Sequence, residues 1–563
     1  WVSRGDPKIR GADVPFLILL GMALLGYAIS IERALSWPRL CSILLGLIIF
    51  IELRRALQPR QWASWIALGL IVVGLGMAGV SLVGTDWTQV RMFDLPWVFD
   101  RLPTLVRGLP DSGAFKNTSD LFGPRWVGIT MGVLAPIYLP MLAWRERSWL
   151  RWLAAGAFLL VTLTLLLTQS LQGLIGLLAG SLIVLLCASR WFWLLVPVGL
   201  AAAAGLLALI DLPKFGTLLL SIDNPGGIAV VLRLDMWSRA VAMIRDMPFT
   251  GIGLNTFPLI QSQFYPGIFI GPEAHSHNLY LQLALDLGLP GLFAFVWFVI
   301  LWIVGLLRAL AKENASNARL LMVSTLAGMA AYLAHGVMDA QMPGAKPGFV
   351  IWSLLGIGAA LMAPLGEAKK SRIHTWVLSV LVLPFVMGLL AIFQPSSVYM
   401  NLGAVQAHKV LSPFPAAQIT SPADFEAAQR NLEEALRLDP SLRQAHLLLG
   451  RFASVQGDFS AAIKYYENRV ALDMVDPVAA YDPALELTLL ITSDSPPAPA
   501  EELGRIYHNW NKRFPNRAEG YLLRSILYSQ YQANPSTGAN FLKMGIEANA
   551  LPPGLLAYAL SQK

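Results

Sequence analysis

Charge and cysteine are what this sequence has least of. Only 14% of its 563 residues are charged, against 55% hydrophobic. A water-soluble chain has no use for so many long apolar runs. The two cysteines, Cys41 and Cys187, each sit inside such a run, which excludes a disulfide framework or a cysteine metal cluster by spacing. The net charge of +7 does not indicate nucleic acid in a chain mostly sunk in lipid. It points to anionic lipid or a phosphorylated substrate. No cleavable signal peptide with a small-residue cleavage site is read, and because the chain begins with Trp1 the native start is expected upstream.

What is abundant is membrane-length apolar sequence. A span needs about 20 apolar residues. Candidates fall near 14–31, 38–53, 62–83, 125–144, 150–168, 171–189, 191–210, 278–307, 318–338, 348–365 and 374–394. The fold class expected is all-α, a polytopic transmembrane bundle of about 11–12 spans followed by a soluble helical domain. Every second connection is short and basic: Arg54, Arg55 and Arg60; Arg145, Arg147 and Arg151; Arg190; Arg308, Lys312 and Arg319; Lys369, Lys370 and Arg372. Basic loops face the cytoplasm, so the remaining loops and the C-terminal region are expected on the outer side of the membrane.

Two outer loops are long, about 84–124 and 211–277, and both carry arginines. These either pair with neighbouring aspartates or hold an anionic ligand, for which guanidinium is suited by bidentate donation. In RLDMWSRAVAMIRDMPFTGIGLNTF, Leu234, Trp237, Val241 and Ile244 fall on one helical stripe beside Ala240, with Arg233 and Arg239 off it. Such a helix suits a membrane interface. Pro248 ends it, and Gly251 and Gly253 mark a tight turn. GxGxN without a preceding strand or a third glycine is no nucleotide fingerprint.

The stretch HSHNLYLQLALDLGLPG opens the eighth span. His275 and His277 alternate, so on extended backbone they point oppositely, and Asn278 is placed to cap the helix. The residues alone leave two readings, a cap with solvated histidines or a site. No third histidine, cysteine or carboxylate stands at ligand spacing, distant Asp339 apart, so no metal is expected. His335 and Asp339, four positions apart, would share a helix face, where the carboxylate would raise the basicity of the imidazole.

These pieces in order resemble the O-antigen ligase and polymerase superfamily of bacterial membrane glycosyltransferases, over about residues 125–365. His277-Asn278, then nine residues, then GLPG ending at Gly291, is similar to the family signature. Arg233, Trp237, Pro248 and GIGLNTF resemble the block before it, and AHGVMD and the Trp352 region the helices after it. The resemblance implies a GT-C-like fold and a donor glycan on undecaprenyl diphosphate. It implies transfer to a glycan, lipid or protein hydroxyl with inversion and no cofactor. His277 then corresponds to the general base and Arg233 to the leading diphosphate contact. Arg125, Arg239, His275, Asn278, Tyr280, His335 and Asp339 are further substrate-site candidates. One departure stands out: in TQSLQGLIG, Leu171 occupies the position of a family arginine thought to hold the diphosphate.

Beyond about residue 395 charge returns. FEAAQRNLEEALRLDP places Ala428, Leu432, Ala435 and Pro440 at tetratricopeptide offsets, and the next segment does so with Leu449, Gly450, Gly457, Asp458, Ala462 and Tyr466. The expected division is 1–395 for the transferase domain and 396–563 for a repeat domain. The repeats either recruit a protein partner or acceptor, or cover the outer face. Polymerase, protein O-oligosaccharyltransferase and, more distantly, transporter or non-catalytic scaffold are the alternatives.

Overall fold

The computed structural model describes residues 13–57, 61–85, 124–194, 225–265, 273–314, 316–340, 348–362, 394–411, 422–472, 518–526, 535–548 and a few isolated positions. Among them all regular structure is helical, as lipid requires: each backbone amide must be satisfied within its own segment. The first six helices are α1 (Asp13–Ile29), α2 (Arg33–Ala56), α3 (Ala63–Gly84), α4 (Pro124–Tyr138), α5 (Ser148–Thr168) and α6 (Leu171–Ala188). The second long loop holds α7 (Pro225–Asp246) and α8 (Phe257–Phe264). The bundle resumes with α9 (Leu279–Lys312), α10 (Asn317–His335) and α11 (Gly348–Leu361). Among the described residues, six segments are long and apolar enough to cross a membrane: α2, α3, the Trp126–Ala143 stretch through α4, α5, α6 and α9. The protein is a multi-pass membrane protein. The first long loop and the expected span at 374–394 lie outside the described residues, as does most of 191–210.

Side chains sort these helices by what surrounds them. Leu45 and Ile48 of α2, Val72 of α3, Leu159 and Leu166 of α5 and Leu178 of α6 are large, apolar and exposed, which water would penalise and lipid accepts. The Trp126–Ala143 stretch is instead 78% buried, and α10 is buried or half-buried along its whole length, wedged among α4, α6 and α11. A helix encased in protein needs no lipid-facing stripe. That is why α10 mixes Ser324, Thr325 and small residues with its leucines. Helices α4 and α6 touch almost backbone to backbone, since a Cβ on Gly132 would run into Gly173.

The two ends of the bundle differ. At one end Arg147 lies 5.5 Å above the Trp65 ring, and the Arg145 amide donates to Asn317 Oδ1 at 3.4 Å. At the other end Ser36 donates to the Leu254 carbonyl, Trp126 meets His275, and the C-terminal helices dock.

Those helices are α12 (Pro395–Leu411), α13 (Pro422–Leu438), α14 (Arg443–Val455), α15 (Phe459–Leu472), α16 (Ala518–Ile526) and α17 (Pro535–Glu547). They pack pairwise, α12 on α13, α14 on α15 and α16 on α17. Ala428, Leu432, Ala435, Ala462 and Tyr466, placed by repeat offsets, are all buried. The inner side of the first two hairpins grips the chain's own second loop. Met236, Ala240, Met243, Met247, Phe257, Ile260 and Phe264 share one core with Met400, Ala404, Phe425, Leu448 and Phe452. Buried Arg451 donates to the Gln263 carbonyl at 2.6 Å and lies 4.8 Å over the Phe264 ring. Asn401 Oδ1 accepts the Phe249 amide at 3.1 Å.

This docking corrects the expected face of α7. Leu234 and Val241 are exposed, while Met236, Ala240, Met243 and Met247 are buried. The helix is apolar on two sides, and the C-terminal helices took the methionine side, whose unbranched chains fill an irregular interface.

Candidate active site at the His-loop end

The site is built where α9 begins. Asn278 caps the helix, its Oδ1 accepting the amides of Tyr280 and Leu281 at 3.0 Å each, and its Nδ2 donates to the Val337 carbonyl. The Leu279 amide donates to the Gly336 carbonyl at 2.7 Å, and Tyr280 Oη donates to the Leu333 carbonyl. The loop before α9 is thereby fastened to the turn after α10. Asn278 and Tyr280 thus hold the two loops together.

That fastening brings Asp339 to the histidines. Its Oδ1 lies 2.9 Å from His275 Nε2 and 3.1 Å from His277 Nδ1, and it accepts the Ala340 amide at 2.7 Å. The extended-backbone expectation fails here. His277 has φ 47°, a left-handed conformation that non-glycine residues adopt at a cost. It turns the second imidazole back beside the first, with ring centroids 4.3 Å apart. Trp126, at the start of α4, stacks on His275 with centroids 5.6 Å apart.

The electrostatics follow from this crowding. Burial opposes charge on His277, but hydrogen bonding to Asp339 and Glu273 and their charges outweigh it, raising its pKa to about 9. Glu273 Oε2 lies 3.7 Å from His277 Nε2. Burial also opposes charge on Asp339, and the two imidazoles outweigh it, holding the carboxyl far below the usual range. An ionised carboxylate only accepts, so both facing ring nitrogens carry hydrogen. The arrangement can present His277 Nε2 to a substrate with Nδ1 held by a carboxylate, the orienting logic of a catalytic dyad.

His335 does not pair with Asp339 as expected. Helix α10 stops at His335, residues 336–338 turn, and the Asp339 side chain goes to the other two histidines. The His335 ring is buried, and neither of its nitrogens has a hydrogen-bond partner among the described residues. Arg239 is also buried, 3.5 Å from Asp235 one turn back, so its charge is engaged within α7. Arg233 is half-buried, one turn before Trp237, whose indole donates to the Ser276 carbonyl at 3.0 Å. The spacing puts Arg233 on the face of α7 that meets the His loop. Arg125 stands in the first turn of α4, next to Trp126; its side chain lies outside the described residues. Leu171 is exposed at the first position of α6, behind the N-cap Ser170.

Behind the loop runs a buried polar chain that sequence reading missed. Gln282 Oε1 accepts the Ser276 amide at 2.8 Å, and its Nε2 donates to Asp286 Oδ1 at 2.9 Å. Asp286 also accepts the Asn255 amide, and Asn255 Oδ1 accepts from Arg39 at 3.0 Å. The signal was an aspartate inside an apolar run, which is expensive and calls for a partner.

The GLPG half of the signature has its own reason. Gly288 breaks α9 with φ 66° and ψ 174°. The Leu289 amide donates to the Pro248 carbonyl at 2.8 Å, and the Ile252 amide to the Leu285 carbonyl at 2.7 Å. The GIG turn is thus bonded into the kink, and a Cβ at Gly251 or Gly288 would strike the other strand of backbone.

Residues 156–296 match the family model described as O-antigen ligase. That segment is similar to O-antigen ligases. The matched segment runs from within α5 through α6, α7, the GIG turn and the His loop, and stops before Asp339 and the C-terminal helices. It supports glycosyltransferase activity of the ligase and polymerase kind. No curated protein matches the chain.

Proposed function

We propose that this protein transfers a glycan from undecaprenyl diphosphate to an acceptor hydroxyl, with His277 as general base and Arg233 as the first diphosphate contact. The observation that carries the reading is the His277–Asp339 contact inside the loop that opens α9. A hydroxyl near neutral pH is a poor nucleophile, and an imidazole within reach accepts its proton as it attacks. Asp339 holds Nδ1–H, fixing the tautomer that offers Nε2 and stabilising the imidazolium formed. Breaking the glycosidic bond places charge on the departing diphosphate, which arginines stabilise without a metal. One displacement of this kind inverts the anomeric centre. Arg233 and Arg125 both stand next to tryptophans that touch the His loop, which supports them as the clamp where Leu171 offers no charge.

The reading places the site on the outer side of the cytoplasmic membrane. Supporting this, Arg145 and Arg147 sit at the opposite end of the bundle, as cytoplasmic loops do. The test is reconstitution with a defined undecaprenyl-diphosphate oligosaccharide and separate lipid, glycan and peptide acceptors. His277→Ala should abolish transfer at unchanged protein level. Full transfer by that variant would refute the base. The acceptor used separates ligase, polymerase and protein-modifying activities.

A second reading rests on the raised pKa of His277. An imidazolium there would stabilise the diphosphate rather than take a proton, and the pH dependence of transfer separates the two.

A further inference from the structure

Sequence spacing offered no third ligand beside His275 and His277, and the fold supplies one. The ligand atoms of His275, His277 and Asp339 all lie within 4.8 Å of one another. We infer that these three side chains form a binding site for a divalent transition metal of the zinc class, and that metal bound there blocks the transferase. The second statement rests on the proposed role of His277; the first stands on the geometry alone.

Two imidazole nitrogens and one carboxylate are a recurrent three-ligand set for zinc, with the fourth position left to water. A tetrahedral ion at about 2.0–2.1 Å from each ligand needs donors roughly 3.3 Å apart. The two histidine–aspartate pairs stand at 2.9 and 3.1 Å, so an ion seats by a small opening of both. The imidazoles already lie side by side, with ring centroids 4.3 Å apart.

The surroundings are those of a held ligand set. Glu273 Oε2 faces the far nitrogen of His277 at 3.7 Å, so the ring that would ligate through Nδ1 can give its other N–H to a carboxylate, as metal-bound histidines commonly do. Asp339 is fixed by the Ala340 amide, and His275 is braced by Trp126. Nitrogen donors select zinc, copper or nickel over magnesium or calcium.

The blockade follows from the tautomer. A metal on Nδ1 leaves the remaining ring hydrogen on Nε2, so the nitrogen facing the substrate is a donor and accepts no proton. Asp339 is withdrawn from the imidazole at the same time.

The experiment uses the full chain in lipid nanodiscs, stripped with a chelator and titrated with Zn²⁺ by calorimetry, with Co²⁺ absorption reporting geometry. The expected result is one Zn²⁺ per chain and no binding of Mg²⁺. Affinity should fall by more than about tenfold in His275→Ala and in Asp339→Asn, and by about tenfold in Glu273→Gln. The near-isosteric aspartate variant covers the case in which His275→Ala fails to fold. Absent stoichiometric binding, or binding indifferent to all three substitutions, overturns the site. Zn²⁺ added to the transfer assay should stop it, and chelator should restore it. Binding with undiminished transfer leaves the metal site standing and removes His277 from the role of base.

Discussion

His277 and Asp339 are 62 residues apart in the chain and 3.1 Å apart in space, nitrogen to oxygen. A carboxylate so placed orients a base and stabilises its cation. Asp339→Asn keeps the shape and removes the charge. The expected outcome is a fall in kcat of about 10²–10⁴-fold with KM little changed, read in the reconstituted assay. A variant that keeps parental kcat would show that the contact only packs the loop.

The raised pKa of His277 gives two opposite slopes. Folding that lifts its pKa from 6.5 to about 9 adds stability that is complete below pH 6.5 and lost as pH rises through about 9. Thermal unfolding midpoints should therefore fall across that window. If His277 is the base, transfer should rise over the same window, because at pH 7 only about one molecule in a hundred has it neutral. Glu273→Gln removes one of the charges that raise it, so that variant should be faster than the parent at pH 7. A slower variant favours the imidazolium reading.

Gly288 occupies a backbone region that is essentially glycine's own. In Gly288→Ala the new Cβ would meet the Phe249 carbonyl, and strain alone costs about 1–3 kcal/mol. The expected outcome is a clear drop in unfolding temperature and in membrane level. Gly69→Ala, with open space around it, should cost nothing.

Arg451 holds α8 through a hydrogen bond to the Gln263 carbonyl and through the Phe264 ring. Its replacement by methionine should cost about 3 kcal/mol of local stability. Hydrogen exchange should rise across Phe257–Phe264 and α14 while the bundle stays protected. Lysine should not rescue it, lacking the planar fork that stacks on the ring.

Hydropathy was a sound guide to the bundle because lipid imposes one rule on every span. Helices α2, α3, α5 and α6 begin and end within about five residues of their apolar runs. Asn278 was legible as a cap because capping is local. What failed was non-local or side-specific. The pairing of His275 with His277 depends on one left-handed φ at a residue that gives no warning of it. Spacing leaves Arg239 open to a neighbouring aspartate or a ligand, and only its burial 3.5 Å from Asp235, one turn away, decides for the aspartate. Helix α7 offers two apolar sides, and periodicity cannot say which neighbour takes which. Asp339 looked like the partner of His335 because the helix was assumed to continue; it ends four residues early.

The amides of Phe249 and Thr250 turn to Asn401 Oδ1, and the carbonyl of Phe249 lies against Gly288 at the break in α9. The C-terminal helices are therefore not a detachable module. A chain truncated before Pro395 would strip two main-chain donors of their acceptor one turn from the crease that sets the His loop, and would bare the methionine side of α7. A silent truncated enzyme would then report lost scaffolding and say nothing about recruitment. Swapping α16 and α17 for those of a relative, with Asn401 and Arg451 left in place, is the cleaner way to ask what the appended helices recognise.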